Sequence, residues 1–291
     1  MWKLKRGWEP VRRDRGDKER KEETECASEW TKRRLELAVD ALQALVLDTK
    51  SRRGILNCSR QWGKSTVTAA KAIHHAVHVP ESLTLVVSPS GRQSAEFLRK
   101  VDRFARKLGQ PVKGDGDNEL SLALPNGSRI VGLPGNEATV RGFSAVSLLL
   151  ADEASRVTDE LYLAIRPMLA VSHGALWLMS TPFGKRGFFY EVWMHGGPEW
   201  ERVRAPATEC PRIPAEFLRE ERAAMGERYF RQEYLCEFVD SVSGMFDRDL
   251  MDGAVREDVR PLEIGLGFNA ETRSRGGKRG EHIFTAETQR R

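Results

Sequence analysis

Cysteine is scarce in this sequence and never clustered. Cys26, Cys58, Cys210 and Cys236 stand far apart, and no two form a C-x-x-C pair. That pattern suggests neither a zinc site nor a disulfide framework, and it points to a reduced, cytoplasmic protein. Long apolar runs are missing as well. Stretches such as "SLLLA" and "LTLVVS" are strand-sized, so no membrane span is expected. No secretory leader is visible, because the first thirty or so residues are heavily charged. Charge of one sign is also lacking where it would matter. Residues 1–34 hold 12 Lys/Arg against 8 Asp/Glu, and residues 261–291 hold 6 against 4. Of the 47 basic and 42 acidic residues, this leaves 29 and 30 for the body, a net charge of −1 there. The overall excess of +5 therefore sits in the tails and is no evidence that the body grips nucleic acid; any such contact must be a local patch.

What is present is a 291-residue chain, 40% hydrophobic, which suffices for a real core. Residues 1–34 mix both charge signs with few aliphatic residues and are expected to be poorly ordered or partly helical. "LELAVDALQALVL" then has helical spacing. An alternation follows: strand "RGILNC", helix "KSTVTAAKAIHHAV", strand "LTLVVS", a helix from about Gln93 to Leu108, and a hairpin "LSLALPNGSRIVGL". Strand "VSLLLA", a helix around Glu160–Leu169 and strand "ALWLMS" complete it, and "AEFLREERAAMGERYFRQEYL" reads as helix broken at Gly226. Strands separated by helices predict an α/β fold with a mostly parallel sheet and helices on both faces. The expected division is a charged segment 1–34, a nucleotide-binding domain 35–240, and a linker with a low-complexity tail over 241–291.

Three strand-end motifs carry the chemistry. "NCSRQWGKST" (Asn57 to Thr66) ends like a phosphate loop, G-x-x-x-x-G-K-[ST], but Cys58 takes the place of the first glycine. Arg60 and Trp62 fill a loop that usually holds small residues. A phosphate loop needs a strand, a tight turn and a helix start whose N–H groups converge on an anion. Here Lys64 would reach phosphates and Ser65 would ligate Mg²⁺; the alternative is a surface turn that happens to read Gly-Lys-Ser. The second motif, "VSLLLADEA", ends a buried strand in Asp152-Glu153, 88 positions beyond Lys64. Carboxylates at that end of a parallel strand face the ligand crevice. Asp152 would hold Mg²⁺ through water, and Glu153 would polarise the water that attacks the γ-phosphate. The third, "LWLMSTPFGK", ends a strand in Ser180-Thr181-Pro182, whose hydroxyls could sense the γ-phosphate and pass its loss onward. His74 and His78 stand one helical turn apart, but no acid or cysteine completes a metal site. Trp62 is expected to pack on the helix or on the base. The run "GFFYEVW" reads as core.

In its ordered set of motifs the chain resembles the large terminase subunit of tailed bacteriophages and prophages. "SRQWGKST", "LLLADEA" and "STPFGKRGFFYEVW" carry the resemblance. "VVSPSGRQSAEFLRKV", "NGSRIVGLPGNEATVRGFS" and "ERYFRQEYLCEF" support it, from about Leu42 to Val239. It implies a phosphate-loop ATPase that uses ATP and Mg²⁺ to drive double-stranded DNA into a procapsid in the bacterial host cytosol. Its implied partners are a portal protein, a small terminase subunit and further copies of the chain in a ring. The nucleotide-binding set it implies is Gln43, Ser59, Arg60, Gln61, Trp62, Gly63, Lys64, Ser65 and Thr66, with Gln43 in the place of an adenine-reading glutamine. Ser65 and Asp152 would hold the metal, Glu153 would be catalytic, and Ser180, Thr181 and Pro182 would couple hydrolysis to movement. Arg60 and Arg141, the latter eleven residues before Asp152, both remain open as the arginine that neutralises the transition state.

Such subunits normally continue into a nuclease domain built on about three carboxylates around two metal ions. The corresponding stretch here, "PLEIGLGFNAET", shows Gly265-Leu266-Gly267 without the opening acid, and an Arg/Gly-rich near-repeat follows. Asp247, Asp249, Asp252 and Asp258 fall in a linker. Nuclease activity is therefore not expected of this chain. Two other readings stay open, a helicase-like nucleic-acid translocase and a non-catalytic remnant that at most binds nucleotide.

Overall fold

The structure, a computed structural model, describes residues 25–110, 113–114, 116, 120–135 and 142–239 of the 291. The acids from Asp247 to Asp258, the near-repeat, Arg141 and most of the charged N-terminal segment lie outside the described residues. Helices α1 (Ala27–Leu35) and α2 (Ala41–Asp48) lead into strand β1 (Arg53–Cys58). Then come α3 (Lys64–His78), β2 (Leu83–Ser88), α4 (Gly91–Lys107), β3 (Ser121–Ala123), β4 (Arg129–Pro134) and β5 (Leu148–Asp152). The chain continues through α5 (Asp159–Ile165), β6 (Ala175–Ser180), α6 (Gly187–His195) and β7 (Glu201–Ala205), and closes with α7 (Ala215–Met225) and α8 (Glu227–Leu235). One seven-stranded sheet runs in the order β3-β4-β2-β5-β6-β1-β7. Among the described residues only the hairpin pair β3–β4 is antiparallel within it.

The central strands read as nearly continuous apolar runs because both faces are covered. Alternation along each strand divides its side chains between two cores. Leu56, Leu150, Trp177 and Met179 face the layer of α1 to α4, while Ile55, Leu149, Leu176 and Leu178 face α5 and α6. Phe188 and Phe189 of "GFFYEVW" are buried in the second core, as expected of that run.

Two elements differ from the sequence reading, and a first one fills in what it left open. Helix α1 begins at Ala27, inside the charged segment, because Trp30 and Leu35 give it an apolar face that packs into the first core. The helical spacing read over 35–47 divides at Glu36, where the backbone turns left-handed (φ 51°), and α2 starts afresh from Asp40. Asp40 accepts from the Gln43 N–H while the Gln43 side chain accepts from the Asp40 N–H, a reciprocal capping box that favours a helix start there. Strand β7, "ERVRA", was not anticipated. It is an edge strand whose Arg202 and Arg204 are exposed and whose Val203 and Ala205 alone are buried. The break at Gly226 is present, with φ 79° between α7 and α8.

Candidate active site

Strands β5, β6 and β1 are neighbours, and their C-terminal ends finish level. Asn57 pairs with Ser180 and Asp152 with Met179. All three motifs are thereby delivered to one edge of the sheet. Cys58 belongs to the strand and not to the loop. It pairs with Ala205 of β7, is fully buried, and lies with its Sγ 3.8 Å from the Ser180 carbonyl. A residue still in the ladder has no need of glycine's conformational freedom, which accounts for the missing first glycine. Burial pushes the Cys58 thiol pKa far up, so it is neutral and inert.

The loop proper is anchored from three sides. The Ser59 N–H donates to the Ala205 carbonyl, and the Arg60 N–H donates to the Glu233 carbonyl on α8. The Trp62 carbonyl accepts from Gln43 Nε2 at 3.1 Å and from Arg212 Nη2 at 2.6 Å. Arg212 also pairs with Asp40 at 2.9 Å, so one guanidinium ties the loop to the cap of α2. The turn uses left-handed backbone at Gln61 (φ 62°) and at Gly63 (φ 99°). A Cβ at Gly63 would also stand 3.1 Å from Gln43 Nε2, so glycine is required there. Gly63 caps α3 without a side chain. The first N–H groups of a fifteen-residue helix therefore face the cavity, where an anion can accept from them.

On this edge Lys64 Nζ lies 2.9 Å from Glu153 Oε1, and the Ser65 hydroxyl donates to the Asp152 carboxylate at 3.1 and 3.3 Å. Asp152 is buried, and loss of solvation raises its carboxyl pKa despite the nearby Lys64 ammonium and the Ser65 hydrogen bond. Burial works against the Lys64 charge too. The neighbouring Glu153 carboxylate, through its charge and its contact with Nζ, and Asp152 behind it outweigh that and leave the ammonium pKa raised. Glu153 itself sits in left-handed backbone (φ 52°) at the end of β5. The short turn Ala154–Arg156 that follows is fastened to the β6 motif. Ser155 Oγ lies 2.7 Å from Ser180 Oγ and donates to the Thr181 carbonyl at 2.8 Å. Arg156 stacks over the Phe183 ring at 4.2 Å.

Lys64, Ser65 and Glu153 border a cavity of about 410 Å³ that is lined also by Arg60, Gln61, Gly63, Thr66 and Thr181. Gln93 and Lys100 of α4, Arg156 and Glu233 also line it. Four cations against two carboxylates make this a site for a polyanion. The structure thus brings most of the expected residues together, with exceptions. The Trp62 ring, 1% exposed, is part of the first core and does not line the cavity. Ser59 is fully buried and its hydroxyl faces no hydrogen-bond partner, while Asp152, Ser180 and Pro182 are buried and are not among the residues lining the cavity. Gln43 is buried, and both ends of its carboxamide are already engaged, by the Asp40 N–H and the Trp62 carbonyl. Here it supports the loop. Arg60 is paired through Nε with Glu233, which raises its pKa. His74 and His78 stack on each other at 4.1 Å and edge against Trp30, which is packing rather than ligation. Lys100, Arg156, Arg212 and Glu233 escaped the sequence reading because none belongs to a local motif; only the fold brings them to the loop.

A family model described as "Terminase large subunit, T4likevirus-type, N-terminal" matches residues 55–252, more than half of the chain. The chain belongs to this terminase family. Among its relatives, the large terminase subunit of Thermus virus P23-45 is 24% identical in a 241-residue alignment that covers 70% of this chain and 50% of the relative. That of Escherichia phage T5 is 23% identical in a 209-residue alignment that covers 69% of this chain and 47% of the relative. The chain therefore spans about half the length of the curated relatives it matches. Two solved structures share the fold. The large terminase ATPase domain of Thermus phage P74-26 superposes with a TM-score of 0.66 at 22% identity, covering 74% of this chain and all of that one. A large terminase from another thermophilic bacteriophage, solved in complex with ADP, gives 0.61 at 15% identity, covering 73% and 57%. Among the described residues no helix is long and apolar enough to cross a membrane.

Proposed function

We propose that this terminase chain is an ATP-hydrolysing module of a DNA-packaging motor. The observation that carries the reading is the meeting of three strand ends at one cationic cavity: a helix start with Lys64 and Ser65, the acids Asp152 and Glu153, and the Ser180-Thr181 hydroxyl motif fastened to them through Ser155.

The donor set fits Mg²⁺. Ser65 and Asp152 offer hard oxygen atoms already within hydrogen-bond distance, and a buried carboxylate short of solvation gains from a cation. Among the described residues no group of three or more His, Cys, Asp or Glu could cage an ion unaided, which suits an ion that completes its shell with water and phosphate oxygens. When bound, Mg²⁺ would neutralise charge on the β- and γ-phosphates. The chain's own residues do the rest. Lys64 and the α3 N–H groups bind and orient the phosphates. Phosphate binding draws the Lys64 ammonium from Glu153, which frees that carboxylate to accept a proton from water. The water oxygen attacks the γ-phosphorus, the bond to the β–γ bridging oxygen breaks, and ADP leaves with the electron pair. Arg60, in cis, or Arg141, from a neighbouring copy, supplies the remaining positive charge. Loss of the γ-phosphate is then felt at Thr181. The family's work implies double-stranded DNA as the load, with a portal protein, a small terminase subunit and a ring of copies as partners. Glu153→Ala should retain nucleotide binding, measured with a fluorescent ATP analogue, and lose ATP hydrolysis. Turnover at the wild-type rate in that variant overturns the assignment.

A further inference from the structure

The body carries no net positive charge, so a surface that meets DNA must concentrate cations locally. One face does so, at the end of the sheet opposite the nucleotide cavity. Arg52, Arg53, Arg166 and His173 line an open cavity of about 660 Å³ floored by Leu169 and Leu176, and no carboxylate is among its lining residues. Arg53 opens β1, so the cavity lies about 17 Å from the phosphate loop, the length of a six-residue strand.

Two of its guanidinium groups are held in place. Arg53 Nη1 donates to the Gly174 carbonyl at 2.9 Å and to the Arg52 carbonyl at 3.1 Å. Arg166 lies over the Tyr162 ring at 5.5 Å, and that ring is itself stacked on Phe188 at 4.0 Å. Arg52 and Arg166 are exposed. Planar guanidinium groups that are already oriented and carry free N–H donors lose little entropy in binding phosphate oxygens. A trough of this size exceeds a single phosphate and suits successive phosphates along a strand.

We propose that this arginine face binds the phosphate backbone of duplex DNA, with Arg52 and Arg166 as the contacting residues and Arg53 holding the Arg52 backbone. The inference rests on the packaging reading, since charge alone would accept any polyphosphate. It places DNA on the side of the sheet away from ATP, so load and fuel would engage opposite ends of β1 and β6.

The test is fluorescence anisotropy of a labelled duplex with the full chain, titrated over a range of salt. Losing one phosphate contact lowers the salt slope by about one. Arg52→Ala and Arg166→Ala should each show that change and weaken binding about fivefold, the scale of an exposed charge contact, and the pair together roughly twentyfold. Arg219→Ala, an exposed arginine on α7, should keep the wild-type slope, and binding of the fluorescent ATP analogue should be unchanged in all of them. Wild-type slope and affinity in the double variant overturn this inference while leaving the ATPase reading intact. So does an equal loss with Arg219→Ala, which would mark unspecific attraction. Unchanged DNA binding with altered sedimentation would assign the face to a protein contact instead. A wild-type chain that hydrolyses ATP and binds no duplex at low salt overturns both this inference and the DNA part of the function.

Discussion

Ser155→Ala separates a mechanical link from a merely structural one. Ser155 has a single hydroxyl proton, and it goes to the Thr181 carbonyl. The 2.7 Å contact with Ser180 must then be donated by Ser180. Removing the Ser155 oxygen leaves a fully buried Ser180 hydroxyl without its acceptor and the Thr181 carbonyl without this donor. A buried unsatisfied group costs about 1–3 kcal/mol, so the variant should lose about 2 kcal/mol of stability. For a body of this size that lowers Tm by roughly 4–8 °C. Ser155 also stands two residues after Glu153 and fixes the turn that follows the acid. Its loss should lower kcat about tenfold, equivalent to about 1.4 kcal/mol of barrier, with KM for ATP little changed because the phosphate loop is untouched. Ser155→Thr, which keeps the hydroxyl, should recover most of kcat. Steady-state ATPase kinetics alongside thermal melting decide the matter. A variant that melts early yet turns over with wild-type kcat would refute the link from Glu153 to the Ser180-Thr181 motif.

Two further outcomes follow from the same geometry. Burial first, then the charges of His78 and Lys71, push the His74 pKa down to about 3, against about 6.5 in an unfolded chain. Between those values the unfolded chain binds a proton that the folded one refuses, so the His74 contribution to stability is flat well above pH 6.5 and falls as pH drops below it. The loss is about 2 kcal/mol at pH 5. Urea titrations at pH 7 and pH 5 should show it, and His74→Leu should remove most of the difference; an undiminished drop in that variant excludes His74 as its source. Gln43→Ala should weaken ATP and GTP binding alike, about fivefold, because the carboxamide braces the Trp62 carbonyl. A loss confined to ATP would return Gln43 to base recognition.

The sheet and the three strand-end motifs were legible because each is a local pattern: an apolar run closed by a polar group with defined chemistry. Lys64, Asp152, Glu153 and Thr181 are where those patterns put them. What escaped depends on contacts distant in sequence. Arg212 lies 150 positions beyond the Trp62 carbonyl it holds, and Glu233 lies 173 beyond Arg60. An exposed arginine and a helical glutamate carry no mark of such a role. Strand β7 was missed because an edge strand with charged outward positions lacks the apolar continuity that marked its neighbours. The place of Trp62 was ambiguous for a different reason. An aromatic in a loop fits a base as well as a core, and only its burial in the first core decides.

The level ending of β1, β5 and β6 makes the sheet an alignment gauge for the chemistry. Side chains alternate along each strand, so a slip of one residue would turn Asp152 or Ser180 to the opposite face. Fit at the far end of the strands guards that register. A Cβ at Gly174 would approach the Val146 carbonyl to 2.1 Å, and one at Gly54 would meet the Trp177 ring at 2.5 Å. Neither glycine lines the cavity, yet they set the level at which its polar groups stand. Inheritance of function in such a chain is thus constrained at both ends of the sheet, by reactivity at one and by clearance at the other.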